Sequence, residues 1–83
     1  MLLTTNERIE ILNIFRRNKC DMTLYDFINE LKHNGLKINI YYQHKLIFTG
    51  SVSTFKNWIH NHHYYELRVV KIEPLSKSLN IFL

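Results

Sequence analysis

The chain has 83 residues, enough for one hydrophobic core and too few for two, so every functional surface is expected on the outside of a single packed unit and a deep substrate cleft is not expected. Apolar residues make up 46% of it, with two glycines and one proline, which is the balance of a folded domain and excludes a disordered tail. The formal net charge of +4 is a sign that attracts polyanions.

A single cysteine, Cys20, cannot form an internal disulfide, and a secreted domain of this size would lean on several, so a reducing compartment is expected. The opening Met1-Leu2-Leu3-Thr4-Thr5-Asn6-Glu7 lacks the basic stretch and continuous apolar run of a signal peptide, and no apolar segment approaches membrane-spanning length. Cytoplasmic residence without a membrane partner is the expectation, in the host cell if the gene is a phage's. Alanine is absent while isoleucine, asparagine and lysine abound; these three have adenine- and thymine-rich codons, pointing to an AT-rich genome such as those of low-GC bacteria, their phages and plasmids.

In chain order, Thr4 and Glu7 stand in capping-box spacing before a helix over 5–18. Its apolar residues Ile9, Ile11, Leu12, Ile14 and Phe15 spread over more than half the circumference, wider than the stripe of an ordinary surface helix. That width predicts either a helix wedged between two layers or one that meets a second copy, and Ile11, Ile14 and Phe15 are the candidate oligomer interface. A loop over 18–22 and a second capping box, Thr23 with Asp26, precede a helix over 24–33 whose Leu24, Phe27, Ile28 and Leu31 recur at helical spacing, with Gly35 placed as a left-handed cap.

Leu36, Ile38, Ile40 and Tyr42 then alternate with Lys37, Asn39 and Tyr41 as in a half-buried strand, a turn at Gln43-His44 lacks the preferred Asn-Gly chemistry, and the chain returns through Lys45 to Thr49. Gly50 is expected to break the strand, Ser51 or Ser53 to cap, and Phe55, Trp58 and Ile59 to define a short helix over 53–61. The stretch from Tyr65 to Glu73 has strand composition, Pro74 ends it, and Leu79, Ile81 and Leu83 alternate with Asn80 and Phe82, closing a second hairpin. The expected fold is α+β, in the order α-α-β-β-α-β-β, with a four-stranded antiparallel sheet built from two hairpins and helices packed on it. One domain spans 1–83, with helix 5–18 added to a core over 23–83. Apolar residues on both faces of two strands, Val69 beside Val70 and Ile72, and Ile47 beside Leu46 and Phe48, predict that helix 5–18 covers part of the second sheet face or, equally, that a dimer does.

Few residues invite chemistry. The run His60-Asn61-His62-His63 could offer imidazoles to a metal, but a structural site needs about four ligands and the only cysteine is far away, so no metal or other cofactor is expected. Glu7, Glu10, Asp26 and Glu30 fall in first helical turns or on polar faces, where carboxylates cap and pair. No glycine-rich loop is present to cradle phosphate, which excludes nucleotide hydrolysis. The protein is therefore expected to be no enzyme. The positive charge is the better signal: Arg16, Arg17 and Lys19 cluster at a helix end, and Lys37, Lys45, Lys56, Arg68 and Lys71 are spread beyond it. Tyr41, Tyr42, Tyr64 and Tyr65 add rings on which unpaired bases could stack. Arg16, Arg17, Lys19, Lys37, Tyr41 and Lys45 are the candidate contacts to a partner or to nucleic acid.

From Thr23 to Leu83 the pattern resembles small accessory proteins of phages and mobile elements. The landmarks are the helix Leu24-Tyr25-Asp26-Phe27-Ile28-Asn29-Glu30-Leu31, the hairpin end Leu46-Ile47-Phe48-Thr49-Gly50, and the strands Val69-Val70-Lys71-Ile72-Glu73 and Leu79-Asn80-Ile81-Phe82-Leu83. The resemblance implies a non-enzymatic inhibitor or modulator of a host defence complex, of which anti-CRISPR proteins acting on a CRISPR-Cas effector are the concrete instance. Acidic members of that class mimic DNA; a basic one is expected to grip an acidic surface, a guide RNA or a nucleoprotein junction. The alternative is a small basic nucleic-acid-binding regulator.

Overall fold

A computed structural model describes residues 2–19, 21–58 and 62–83, except the His62 side chain. Its first helix, α1 (Thr5–Arg17), opens on the expected capping box. The Glu7 amide donates to Thr4 Oγ1 at 3.1 Å and the Thr4 amide donates to Glu7 Oε1 at 3.0 Å, so two amides left without helical partners are satisfied reciprocally. The Thr4 amide, followed by the Thr4 hydroxyl and His33, holds the Glu7 carboxyl below its usual range against the opposing effect of burial.

Ile11 and Phe15 on α1 are buried, and the Phe15 ring meets Phe27 edge-on at 6.5 Å. Helix α2 (Leu24–Glu30) is capped by Thr23, whose hydroxyl accepts from the Asp26 amide. It ends earlier than its periodicity predicts: Leu31 leaves in an extended conformation to reach the core, and no glycine has a positive φ, so Gly35 is no left-handed cap.

Strands β1 (Lys37–Tyr42) and β2 (Lys45–Ser51) form the first hairpin. Gln43 and His44 have φ of 51° and 66°, the left-handed pair that a type I′ turn requires and that Asn-Gly ordinarily supplies. Two short helices, α3 (Val52–Lys56) and α4 (His62–Tyr65), lie in the connection, and β3 (Lys71–Pro74) and β4 (Ser78–Phe82) form the second hairpin. The helix expected over 53–61 is thus α3 alone in its described part, capped by Ser51; residues 59–61 lie outside the described residues. Tyr65 belongs to α4 and not to a strand. The segment after it pairs with the loop ahead of α2, where the Leu24 amide donates to Leu67 O, the Val69 amide donates to Met22 O, and Arg68 bridges Thr23.

The strand order is β2-β1-β4-β3, with both hairpins antiparallel and β1 parallel to β4. The sheet is therefore mixed and not wholly antiparallel. The reason lies in the connection over 52–70: it exceeds the roughly dozen residues a crossover needs, so the chain returns to start the second hairpin in the direction of the first hairpin's second strand. On the inner face, Phe48, Ile40, Ile81 and Ile72 lie abreast across all four strands. Leu24, Phe27, Ile28 and Leu31 of the α2 segment, Ile11 and Phe15 of α1, and Val52 and Phe55 of α3 join them in one core.

All of the buried helical side chains belong to that inner core, so α1 does not cover the second face. Most of its wide apolar arc has a local explanation: Ile11 and Phe15 enter the core while Leu12 and Ile14 pack against its margin, and Ile9 is left exposed. Ile11, 1% exposed, and Phe15, 8% exposed, are buried within their own chain, whereas Ile14 is half-buried. The apolar runs that suggested two covered faces also resolve locally. Register shifts between Ile40 and Tyr41 put an extra residue, Ile47, between Leu46 and Phe48, the two-against-one arrangement of a bulge; Val69 is buried against the loop before α2, and Val70 is exposed.

Gly50 does not break β2. It pairs with Ile38, and a Cβ there would stand 3.0 Å from Phe48 Cζ. That ring is held by Phe55 at 4.9 Å and Trp58 at 5.4 Å, so it has little freedom to yield. Gly50→Ala is expected to destabilise the fold by about 1–2 kcal/mol through overcrowding, measured by urea unfolding, although alanine would otherwise be favoured in a strand. Because the Glu7 carboxyl is lowered in the folded state, its contribution to stability is present above the ordinary carboxylate range and lost as pH falls through the lowered value. Unfolding midpoints of Glu7→Gln measured from neutral to acid pH should therefore fall less than those of the wild type.

Candidate functional site

The second face of the sheet is built by strand alternation. Lys37, Asn39 and Tyr41 of β1 stand between the buried Leu36, Ile38 and Ile40, and Ser78, Asn80 and Phe82 of β4 flank Leu79 and Ile81. Lys71 and Glu73 come from β3, and Thr49 and Leu46 from β2. The registers bring these residues into two rows across the sheet: Leu46, Tyr41, Phe82 and Lys71 in one, Thr49, Asn39, Asn80 and Glu73 in the next.

In the first row Tyr41 and Phe82 are stacked, with centroids 5.1 Å apart and planes 14° from parallel. The Lys71 ammonium stands 5.5 Å from the Phe82 centroid, within reach of a cation–π attraction. Both rings are half-buried, and with Val70, Gln43 and His44 they line a depression of about 470 Å³.

The second row is a chain of side-chain hydrogen bonds through all four strands. Thr49 Oγ1 donates to Asn39 Oδ1 at 2.7 Å, Asn39 Nδ2 donates to Asn80 Oδ1 at 3.0 Å, and Asn80 Nδ2 donates to Glu73 Oε1 at 3.0 Å. One residue sets its direction. An ionised carboxylate only accepts, so Asn80 must turn its NH₂ toward Glu73 and its carbonyl toward Asn39. Asn39 must then turn its NH₂ toward Asn80, leaving its carbonyl for the Thr49 hydroxyl. Each amide retains one N–H and acceptor capacity for a further partner.

The candidate contacts read from sequence divide between two places. Tyr41 and Lys37 lie on this face. Arg16, Arg17 and Lys19 are exposed at the end of α1, where Arg17 pairs with Glu30 at 3.6 Å; Lys45, paired with Tyr42, starts β2 on the opposite side. Of the other tyrosines, Tyr42, Tyr64 and Tyr65 are engaged with one another's neighbours: Tyr42 meets Tyr64 at 6.2 Å, Tyr64 meets Trp58 at 6.4 Å, and Tyr65 meets Phe55 at 5.6 Å. They are packing residues. Lys71 is among the scattered cations of the sequence but not among the candidate contacts, and Asn39, Asn80 and Phe82 are not candidates either, yet a signal existed: Asn80 and Phe82 alternate with the buried Leu79 and Ile81, which assigns them to the other face.

A larger depression of about 630 Å³ lies between α1 and α2, lined by residues that include Glu10, Arg17, Glu30, Lys32 and His33. Within it Arg17 pairs with Glu30 at 3.6 Å, and close by His33 Nε2 stands 2.9 Å from Glu7 Oε2. Among the described residues no three histidine, cysteine or acidic side chains gather to hold a metal ion, and no helix is long and apolar enough to cross a membrane. Cys20 and the first two residues of the run His60-Asn61-His62-His63 lie outside the described residues. Compared with protein-family models, curated proteins and solved structures, the chain matches none.

The direction imposed by Glu73 gives a coupled prediction. Asn39→Asp keeps the shape but sets two acceptors face to face, and turning Asn80 to relieve this would set its carbonyl against Glu73. The variant is expected to lose about 1–3 kcal/mol. Glu73→Gln can donate as well as accept, so the chain can reverse, and in that background Asn39→Asp should lose little. A urea-unfolding double-mutant cycle with no coupling between positions 39 and 73 would refute the directional chain.

Proposed function

We propose that the protein is a non-enzymatic binding protein that modulates a host defence complex, a CRISPR-Cas effector being the concrete instance, and that it makes contact through the open face of its sheet. The observation that carries this reading is the Tyr41–Phe82 pair. Two stacked rings stand on the two central strands with a lysine ammonium beside them and amides along the next row. Rings, amides and ammonium groups hold a partner by stacking, hydrogen bonding and charge. The net charge of +4 favours an anionic partner, and RNA-guided effectors present guide RNA and displaced DNA.

The resemblance of residues 23–83 to phage accessory proteins supplies the biological setting. The test is purification with candidate effectors from low-GC bacteria, followed by target-cleavage assays. A stoichiometric amount of protein should suppress cleavage by the cognate effector, and the charge reversal Lys71→Glu should weaken suppression by about tenfold or more, since one lost charged contact is worth at least ~1.4 kcal/mol at a desolvated site. Cleavage unaffected across the effectors, or suppression undiminished in Lys71→Glu, would refute the reading.

A further inference from the structure

The open face has the chemistry of a strand-binding platform, and the identity of its occupant follows from the order of groups on it. Across the first row an apolar side chain, two rings and a cation succeed one another: Leu46, Tyr41, Phe82 and Lys71. The second row offers hydroxyl, amide, amide and carboxylate, and Lys37 lies beyond it on β1. Successive rows are two residues apart, roughly 6.6 Å along a strand. Rings therefore come first, directional polar groups one step on, and a second ammonium one step further.

We propose that this face binds a short unpaired nucleic-acid strand, one base resting on the Tyr41–Phe82 pair, a neighbouring base edge meeting the spare donors and acceptors of Asn39 and Asn80, and phosphates lying at Lys71 and Lys37. The proposal rests on the reading of the face as the contact surface and adds the partner's class. A base has a π-face for the rings and hydrogen-bonding edges for the amides, and the strand supplies the negative charge that the two lysines and the net charge require. In a duplex the base faces are stacked on one another and cannot reach the rings. The charged residues of these two rows, Lys71 and Glu73, lie on the edge strand β3, which leaves the central strands to the rings and amides that a base would meet. Glu73 is the acidic residue on these rows; its carboxylate accepts from Asn80 and stands 4.0 Å from Lys71, so part of its charge is already answered.

The probes are fluorescein-labelled oligo-uridine and oligo-thymidine of about twelve nucleotides, long enough for a single-domain site, with a duplex of the same length, read by fluorescence anisotropy. The single strands should bind more tightly than the duplex, with affinity falling as salt rises. Tyr41→Ala should weaken binding about tenfold, and Lys71→Gln should weaken it and reduce the salt slope by about 0.7, the value for one phosphate on a single strand. Circular dichroism and unfolding midpoints establish that each variant is folded, and Lys71→Gln alters an exposed side chain, so it reports even if Tyr41→Ala does not fold. Arg16→Ala/Arg17→Ala/Lys19→Ala, altered at the end of α1, should retain single-strand binding.

No single-strand binding at low salt, equal affinity for the duplex, or loss of binding in the α1 variant with none in Lys71→Gln would overturn the proposal. The cleavage assay separates its failure from that of the underlying reading. If Lys71→Glu relieves effector inhibition while no oligonucleotide binds, the face is a contact surface for protein and only the single-strand assignment falls.

Discussion

The parallel pairing of β1 with β4 is the constraint on which the rest of the structure depends. Each hairpin has only one neighbour of its own, and an isolated hairpin is marginal in water. The seam from Lys37↔Ser78 to Tyr41↔Phe82 joins them into one sheet and aligns Ile38 with Leu79 and Ile40 with Ile81. All four of these apolar side chains are fully buried, each contributing about 1.5–3 kcal/mol of burial before the cost of ordering the chain is counted. The same seam assembles the opposite face, because a register that aligns the isoleucines also aligns Asn39 with Asn80 and Tyr41 with Phe82. Slipping it by one residue would exchange the faces of one hairpin and bury the amides.

What was legible in the sequence follows from which interactions are local. Capping at Thr4, Thr23 and Ser51, the core face of Leu24, Phe27, Ile28 and Leu31, and the hairpin turning at Gln43-His44 depend on residues a few positions apart, and the sequence displays them. How two hairpins meet depends on a connection of 19 residues, from Val52 to Val70, whose path is decided by the core it closes, and no periodicity in it announces a parallel seam. Gly50 misled for a related reason. A glycine in a strand signals a break only if nothing fills its place, and here Phe48, held by Phe55 and Trp58, does. Of the candidate site, Tyr41 and Lys37 were visible as charged and aromatic residues on a strand. Phe82, Asn80 and Lys71 gain their meaning from neighbours on other strands.

The two edges of the sheet are less inviting than its open face. β3 is four residues long and ends in Pro74, while β2 carries a bulge and begins at Lys45; short length, proline, lysine and bulges all discourage a further strand from adding to an edge. The inner face is filled by helices. What is left is a surface where a folded chain would ordinarily place solvated polar groups, and where this one places a ring pair on its central strands.

That surface also explains why an acidic residue stands on a basic face. Without Glu73, Asn39 and Asn80 could each point either way, and a partner would have to fix their orientation on binding. With the carboxylate at one end and the Thr49 hydroxyl at the other, both amides are oriented beforehand, and the ordering that a ligand would otherwise impose is already in place. The charge that does this is at the outer strand, tied to Asn80 and 4.0 Å from the Lys71 ammonium, which offsets part of it. Lys37 lies on the central strand β1. The carboxylate that sets the hydrogen-bond direction thus stands at one end of the row, and a single residue at the edge gives the polar row its polarity.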